Sequence, residues 1–154
     1  MKRVLLTYVS ERERRNLEYG LERGIWGLPM ACSAVPKTFD YVFISSLIRP
    51  GGPRRPPTEW FKKTMSLTIA KRTGPVTAAQ SLLWPDEKDA GKVRYRTRFP
   101  IAHLASLDEI ELGDPLVIPK QLSLEIRLQA ISGGAPVIGV DDKIIDNLLE
   151  NQAR

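Results

Sequence analysis

Cysteine occurs once in the 154 residues, at Cys32, and histidine once, at His103. A single cysteine excludes an intrachain disulfide and fits a reducing, cytoplasmic setting. One cysteine and one histidine together exclude the usual zinc-ligand sets, so no metal and no cofactor is expected. A Ser-His-Asp site would have to use His103, which has no motif around it. Long apolar runs are missing too, and none approaches the ~20 residues of a transmembrane helix. Met1-Lys2-Arg3 followed by Val4-Leu5-Leu6 opens like a signal peptide. The apolar run is too short for one, however, and Glu11-Arg12-Glu13-Arg14-Arg15 follows at once. No membrane partner is expected.

The remaining composition is that of a folded chain, with 42% hydrophobic and 27% charged residues. The net charge of +5 is unevenly spread. Residues 1–75 carry 14 basic and 6 acidic side chains, whereas 76–154 carry 9 and 12. Seven of the basic residues (Arg49, Arg54, Arg55, Lys62, Lys63, Lys71 and Arg72) lie within 49–72 against Glu59 alone. Lys92, Arg94, Arg96 and Arg98 form a second cluster without an acid. Concentrated positive charge points to a polyanion; solvation of an ordinary surface is the competing explanation.

Hydrophobic spacing predicts the elements. Val4–Val9 reads as a buried first strand. Ser10 and Glu13 make a capping box for a helix over 11–23, with Leu17 and Leu21 on its apolar face and Gly24 as its left-handed terminator. Strands are expected over 41–48 and 65–70. Residues 49–60 hold four prolines and two glycines, too many for a helix or a central strand. The acids Asp86, Glu87 and Asp89 fall in an expected polar loop, 85–91, and read as solvated rather than as a Mg²⁺ site. Val93, Tyr95, Thr97 and Phe99 alternate with the four basic residues, which predicts a strand with one apolar and one basic face. Residues 104–112 read as a short helix or turn, and 122–128 as strand or helix. Asp141 is positioned to cap a last helix.

Several motifs, taken in order, resemble the EVE and YTH domains of the PUA-like superfamily. The most specific is Asn16-Leu17-Glu18-x-x-Leu21-x-x-Gly24-Ile25-Trp26-Gly27, a helix that ends in a Gly-hydrophobic-Trp-Gly turn. Ile69-Ala70-Lys71-Arg72-Thr73-Gly74-Pro75 resembles the outward strand and turn of these domains. Leu83-Trp84 followed by Lys92-Val93-Arg94-Tyr95-Arg96 resembles the YTH pattern of a second tryptophan before a basic-aromatic strand. The Lys-Pro-Gly-Asp turn usual before the central strand is absent between 30 and 42. The resemblance implies an α+β fold, a small, curved, mostly antiparallel barrel or sheet flanked by helices. It would span 1–140, with the basic proline-rich loop 49–63 as an insertion. A C-terminal helix over 141–154 is then a candidate linker to an effector domain.

The resemblance further implies a non-enzymatic reader of a methylated or hydroxymethylated base, with DNA favoured over RNA. Such domains target modification-dependent restriction enzymes, joined to a nuclease or motor domain. A reader of N6-methyladenine in RNA, or an interaction module using the proline-rich loop, are the alternatives. A flipped base needs an aromatic pocket; Trp26 and Trp84 match the cage positions, with Ser45, Ser46 and Asp86 as candidates for its polar edge. The stripe Lys92, Arg94, Arg96, Arg98, with Arg54, Arg55, Lys62, Lys63, Lys71 and Arg72, would follow the phosphates. Trp60 could fill the hole left by the flipped base, or anchor its loop.

Overall fold

The alternation over residues 4–9 places Val4 and Leu6 on one face of a strand and Leu5 and Val9 on the other, and all four are buried. This strand, β1 (Lys2–Val9), lies inside a seven-stranded mixed sheet and needs apolar cover on both faces. It pairs in parallel with β3 (Tyr41–Ser46) and antiparallel with β7 (Val137–Val140). β3 continues antiparallel to β4 (Thr64–Arg72), and β4 to the long β6 (Thr97–Glu111). The first residues of β6 pair with β2 (Ile25–Leu28) and with the two-residue β5 (Thr77–Ala78). The order β2-β6-β4-β3-β1-β7 leaves β2 at one end of the sheet. The computed structural model describes residues 1–48 and 57–152.

Helices cover both faces. α1 (Arg14–Arg23) contributes Leu17 to a core with Trp26, Leu28, Phe39, Val42 and Phe99. α4 (Lys120–Ser132) and α5 (Asp142–Gln152) contribute Leu122, Ile126, Ile145 and Leu148 to the other core, with Phe43, Leu67 and Ile69. Each such side chain taken from water contributes about 1.5–3 kcal/mol. Two short helices, α2 (Pro57–Trp60) and α3 (Pro85–Ala90), complete the fold. No helix among the described residues is long and apolar enough to cross a membrane.

Several elements differ from the sequence expectation. The helix over 11–23 begins as a 3-10 turn, Glu11–Glu13, and becomes α-helical only from Arg14. Ser10 does not cap a backbone N–H; its Oγ donates to Glu13 Oε1 (3.2 Å). The C-terminal signal holds, with Gly24 at φ 68°. Residues 104–112 continue β6 up to Glu111. Register shifts against β4, between Met65 and Leu67 and between Ile69 and Ala70, and a positive φ of 54° at Glu109 break the alternation that would have disclosed the strand. Residues 85–91, expected as a loop, form α3: Pro85 supplies a pre-set φ at the first helical position and Gly91 ends the helix at φ 64°. Residues 122–128 are helical. α5 starts as expected, with Asp141 Oδ1 accepting from Lys143 N (2.9 Å). Far from standing apart as a tail, this helix packs Ile145 and Leu148 into the main core.

Candidate functional site

A cavity of about 360 Å³ opens beside β2, where the ends of β1, α1, α3 and α4 converge. Trp26, Trp84 and Asp86 line it together with Asn16, Arg94, Tyr95 and Gln129; the glycines at the end of α4 complete the wall. The tryptophans reach it from opposite faces of one strand. Trp26 belongs to β2, opposite Phe99, and packs under α1. Trp84 lies over Gly27, the next residue of β2, whose register partner is Arg98. The rings are 5% and 1% exposed, so they are walls of the cavity and members of the core at once.

Each indole is seated on a glycine. A Cβ at Gly20 would lie 2.6 Å from the Ile25 carbonyl oxygen and 3.1 Å from the ring of Trp26. At Gly27 it would lie 2.5 Å from the ring of Trp84 and 2.8 Å from Tyr95 Cβ. The Gly after Trp26 thus serves the other tryptophan. Gly27→Ala should displace Trp84 and Tyr95 and cost about 1–3 kcal/mol of stability. A urea unfolding midpoint equal to that of the parent chain would contradict this.

α3 is fixed by a buried carboxylate. Glu87 is fully buried; its Oε1 accepts from the backbone N–H groups of Leu83 (2.9 Å) and Trp84 (3.1 Å). Its Oε2 accepts from those of Arg94 (2.8 Å) and Tyr95 (3.1 Å). The buried guanidinium of Arg98 reaches the same carboxylate at 3.2 Å and stacks 5.1 Å from the Trp84 ring centroid. Burial by itself would raise the pKa of Glu87, but the four backbone donors outweigh it and hold the pKa below the ordinary carboxylate value.

A second polar chain runs along the cavity. Asn16 Nδ2 donates to the Tyr95 hydroxyl (2.7 Å), which donates to Asp86 Oδ2 (2.7 Å). Arg94 Nη1 lies 3.7 Å from that same oxygen. Burial, then the Asp86 carboxylate, raises the Tyr95 pKa and keeps the phenol protonated. Four buried polar atoms of the lining residues have no partner among the described residues: Trp26 Nε1, Trp84 Nε1, Asp86 Oδ1 and Gln129 Oε1. Gln129 Nε2 donates to the Gly134 carbonyl (2.9 Å), which leaves Oε1 as the free end of its amide. All four, two donors and two acceptors, are themselves buried beneath the cavity surface.

The other residues singled out from the sequence lie elsewhere. Ser45 and Ser46 are buried in β3 and do not line the cavity; Ser45 Oγ donates to the Thr7 carbonyl (3.4 Å). The basic stripe is not one strand face. Residues 92–96 are outside any strand, since Glu87 takes the backbone N–H groups of Arg94 and Tyr95 and β2 pairs only as far as Thr97. Arg98 is buried, while Lys92, Arg94 and Arg96 are exposed; Arg94 lines the cavity, and Arg96 Nε donates to the carbonyl of Pro29, another lining residue (3.2 Å).

Arg72 is a clamp rather than a free cation, donating to the carbonyls of Phe39 (2.9 Å), Gly74 (2.6 Å) and Lys37 (3.3 Å). Lys62 and Lys71 are exposed, and Lys63 is half-buried. Trp60 is an anchor and not a finger: it is buried, and its Nε1 donates to Ser123 Oγ (2.8 Å) on α4. Arg49, Arg54 and Arg55 lie outside the described residues.

Sequence reasoning missed Asn16, Tyr95, Glu87 and Gln129. Tyr95 reads as the apolar half of an alternating strand, and Glu87 as a loop acid. The signal available for Glu87 was its place three residues after Trp84, the capping-box spacing, with proline between them at the first helical position. Among the described residues no group of three or more His, Cys, Asp or Glu could hold a metal ion. No protein-family model matches the chain, and no match is found among the curated proteins.

Proposed function

We propose that this chain is a non-catalytic nucleic-acid-binding domain of the PUA-like, EVE/YTH type. It takes a modified base, flipped from its stack, into the cavity beside β2. DNA is the favoured substrate, and the domain is the targeting module of a modification-dependent restriction or defence system. One observation carries the reading: Trp26 and, from a second stretch of sequence, Trp84 and Asp86 line one cavity with Asn16, Arg94 and Tyr95, so that aromatic rings, hydrogen-bond donors and acceptors share its wall. A nucleobase is a flat, apolar-faced ligand whose rim carries both kinds of group. Arg94 in the lining, and Arg96 bonded to the lining residue Pro29, supply charge for the flanking phosphates. A methylammonium ligand, which aromatic pockets also take, fits less well, because the Trp84 ring already holds the Arg98 guanidinium against it.

The test is a binding panel of duplexes that differ in one base: unmodified, 5-methylcytosine, 5-hydroxymethylcytosine and N6-methyladenine. One modification should be preferred by roughly 10–200-fold, the discrimination a fitted pocket gains from one methyl-sized group. Equal affinity across the panel would refute the reading. Matched RNA strands decide whether the 2′-hydroxyl is tolerated.

A further inference from the structure

We propose that a groove beside the cavity, bordered by Tyr8, Leu47 and Arg12, takes the nucleotide next to the flipped base. The inference rests on the base-binding reading and adds to it a second subsite, for the adjoining base and its phosphate.

β1 and β3 run in parallel and end side by side, with Val9 paired to Ser46. Tyr8, near the end of β1, lines the cavity beside β2. It also lines a separate groove of about 420 Å³, together with Ser10, Glu11, Arg12, Leu47 and Ile48. One residue thus borders both spaces. Its hydroxyl donates to the Ile48 carbonyl (2.6 Å), which ties it to the segment that leaves β3. A strand whose base enters the cavity therefore brings a neighbouring nucleotide to the groove.

Leu47 marks the groove as more than a gap between elements. Its φ is 56°, in the left-handed region that a side chain makes costly and glycine adopts freely. Packing does not account for the choice of leucine, because the side chain is 45% exposed. An apolar group is held in water at the cost of backbone strain, a combination that collects at binding sites. Arg12 is exposed on the same rim and has no ion pair among the described residues. Glu11 shares that rim and offsets part of its charge. The lining is therefore poor for a bare anion and suits a ligand with an apolar body and one negative group. A nucleotide is such a ligand, its base lying against Tyr8 and Leu47 and its phosphate meeting Arg12.

The probe is a set of oligonucleotides carrying 5-methylcytosine, 5-hydroxymethylcytosine or N6-methyladenine, with an abasic residue on one side of the modified base or on the other. An abasic residue keeps the phosphate and removes the base. Each is measured single-stranded and in a duplex, and the form that discriminates the modification more strongly is read. Loss of the neighbour on one side should weaken binding by about 5- to 150-fold, the range for stacking one base. Loss on the other side should matter much less.

Leu47→Gly removes the apolar wall and relieves the strained φ in one step. It should unfold at or near the parent's temperature, yet bind the intact oligonucleotide more weakly and lose most of the abasic penalty. Arg12→Gln should lower the salt slope by about one phosphate's worth and leave the abasic penalty in place. If a modified base is preferred but neither abasic position matters, the subsite is wrong while the base pocket stands. A one-sided penalty that survives Leu47→Gly undiminished overturns the subsite as well. If no modification is preferred in either form, the base-binding reading fails and this inference with it.

Discussion

Replacing Glu87 with alanine should destabilise the fold by about 3–5 kcal/mol, the cost of leaving a buried charge without its partner. The stranded charge is Arg98, which is 5% exposed and meets the Glu87 carboxylate at 3.2 Å. Four backbone N–H groups, of Leu83, Trp84, Arg94 and Tyr95, lose their acceptor in the same step. Glu87→Gln keeps one acceptor oxygen but turns an amide N–H₂ toward two of the four backbone donors, so it should cost a comparable amount. The pH dependence follows in sign from the lowered pKa. A carboxylate held below its unfolded value contributes stability that is fully present above that value, near 4.5, and is lost as pH falls through the folded one. Urea unfolding at neutral pH and at pH below 4.5 checks both claims. The parent chain should weaken on acidification, and Glu87→Gln should weaken less over the same range. Equal acid sensitivity would mean that Glu87 is not the titrating group. The strut has a functional consequence as well: α3 carries Trp84 at its start and Asp86 in its first turn, so loosening Glu87 should also disperse the cavity.

The sequence discloses elements whose signal is local and unopposed. Gly24 ends α1 because the left-handed conformation is cheap only for glycine. β1, β3 and β4 follow from β-branched and alternating apolar residues, and α5 from Asp141. Trp26, Trp84 and Asp86 stand out because a large aromatic beside a turn residue is conspicuous in one dimension. What a linear reading cannot supply is the partner. Alternation over 92–99 is the pattern of a strand with one basic face, yet β2 ends its pairing at Thr97, and Arg98 turns inward to meet Glu87. A lone arginine in a basic run and a lone glutamate in a polar run look solvated until the fold joins them. β6 escaped for a related reason, since its bulges against β4 shift the period by one residue at each site. The glycine seats are half legible. Gly27 follows Trp26 in sequence, but the ring it accommodates comes from residue 84.

Trp84→Ala should cost about 3–5 kcal/mol, because it deletes a fully buried indole and leaves a cavity that the surroundings only partly refill. The ring is 1% exposed, meets Tyr95 edge-on at 5.0 Å between centroids, and supports the Arg98 guanidinium at 5.1 Å. Its removal strips packing from both polar chains of the site, so the alanine variant measures stability and says little about recognition. Trp84→Phe is the informative companion. The indole Nε1 has no partner among the described residues, so phenylalanine gives up no internal hydrogen bond with it. The loss of stability should therefore be smaller than for alanine and reflect volume alone. If a bound base accepts from that N–H, selectivity for the modified oligonucleotide should fall further in Trp84→Phe than its stability loss accounts for, while salt-dependent affinity for unmodified strands stays near that of the parent. Trp26→Phe should behave alike, since its Nε1 is orphaned too. Phenylalanine variants that keep full selectivity would leave the two indoles as walls only.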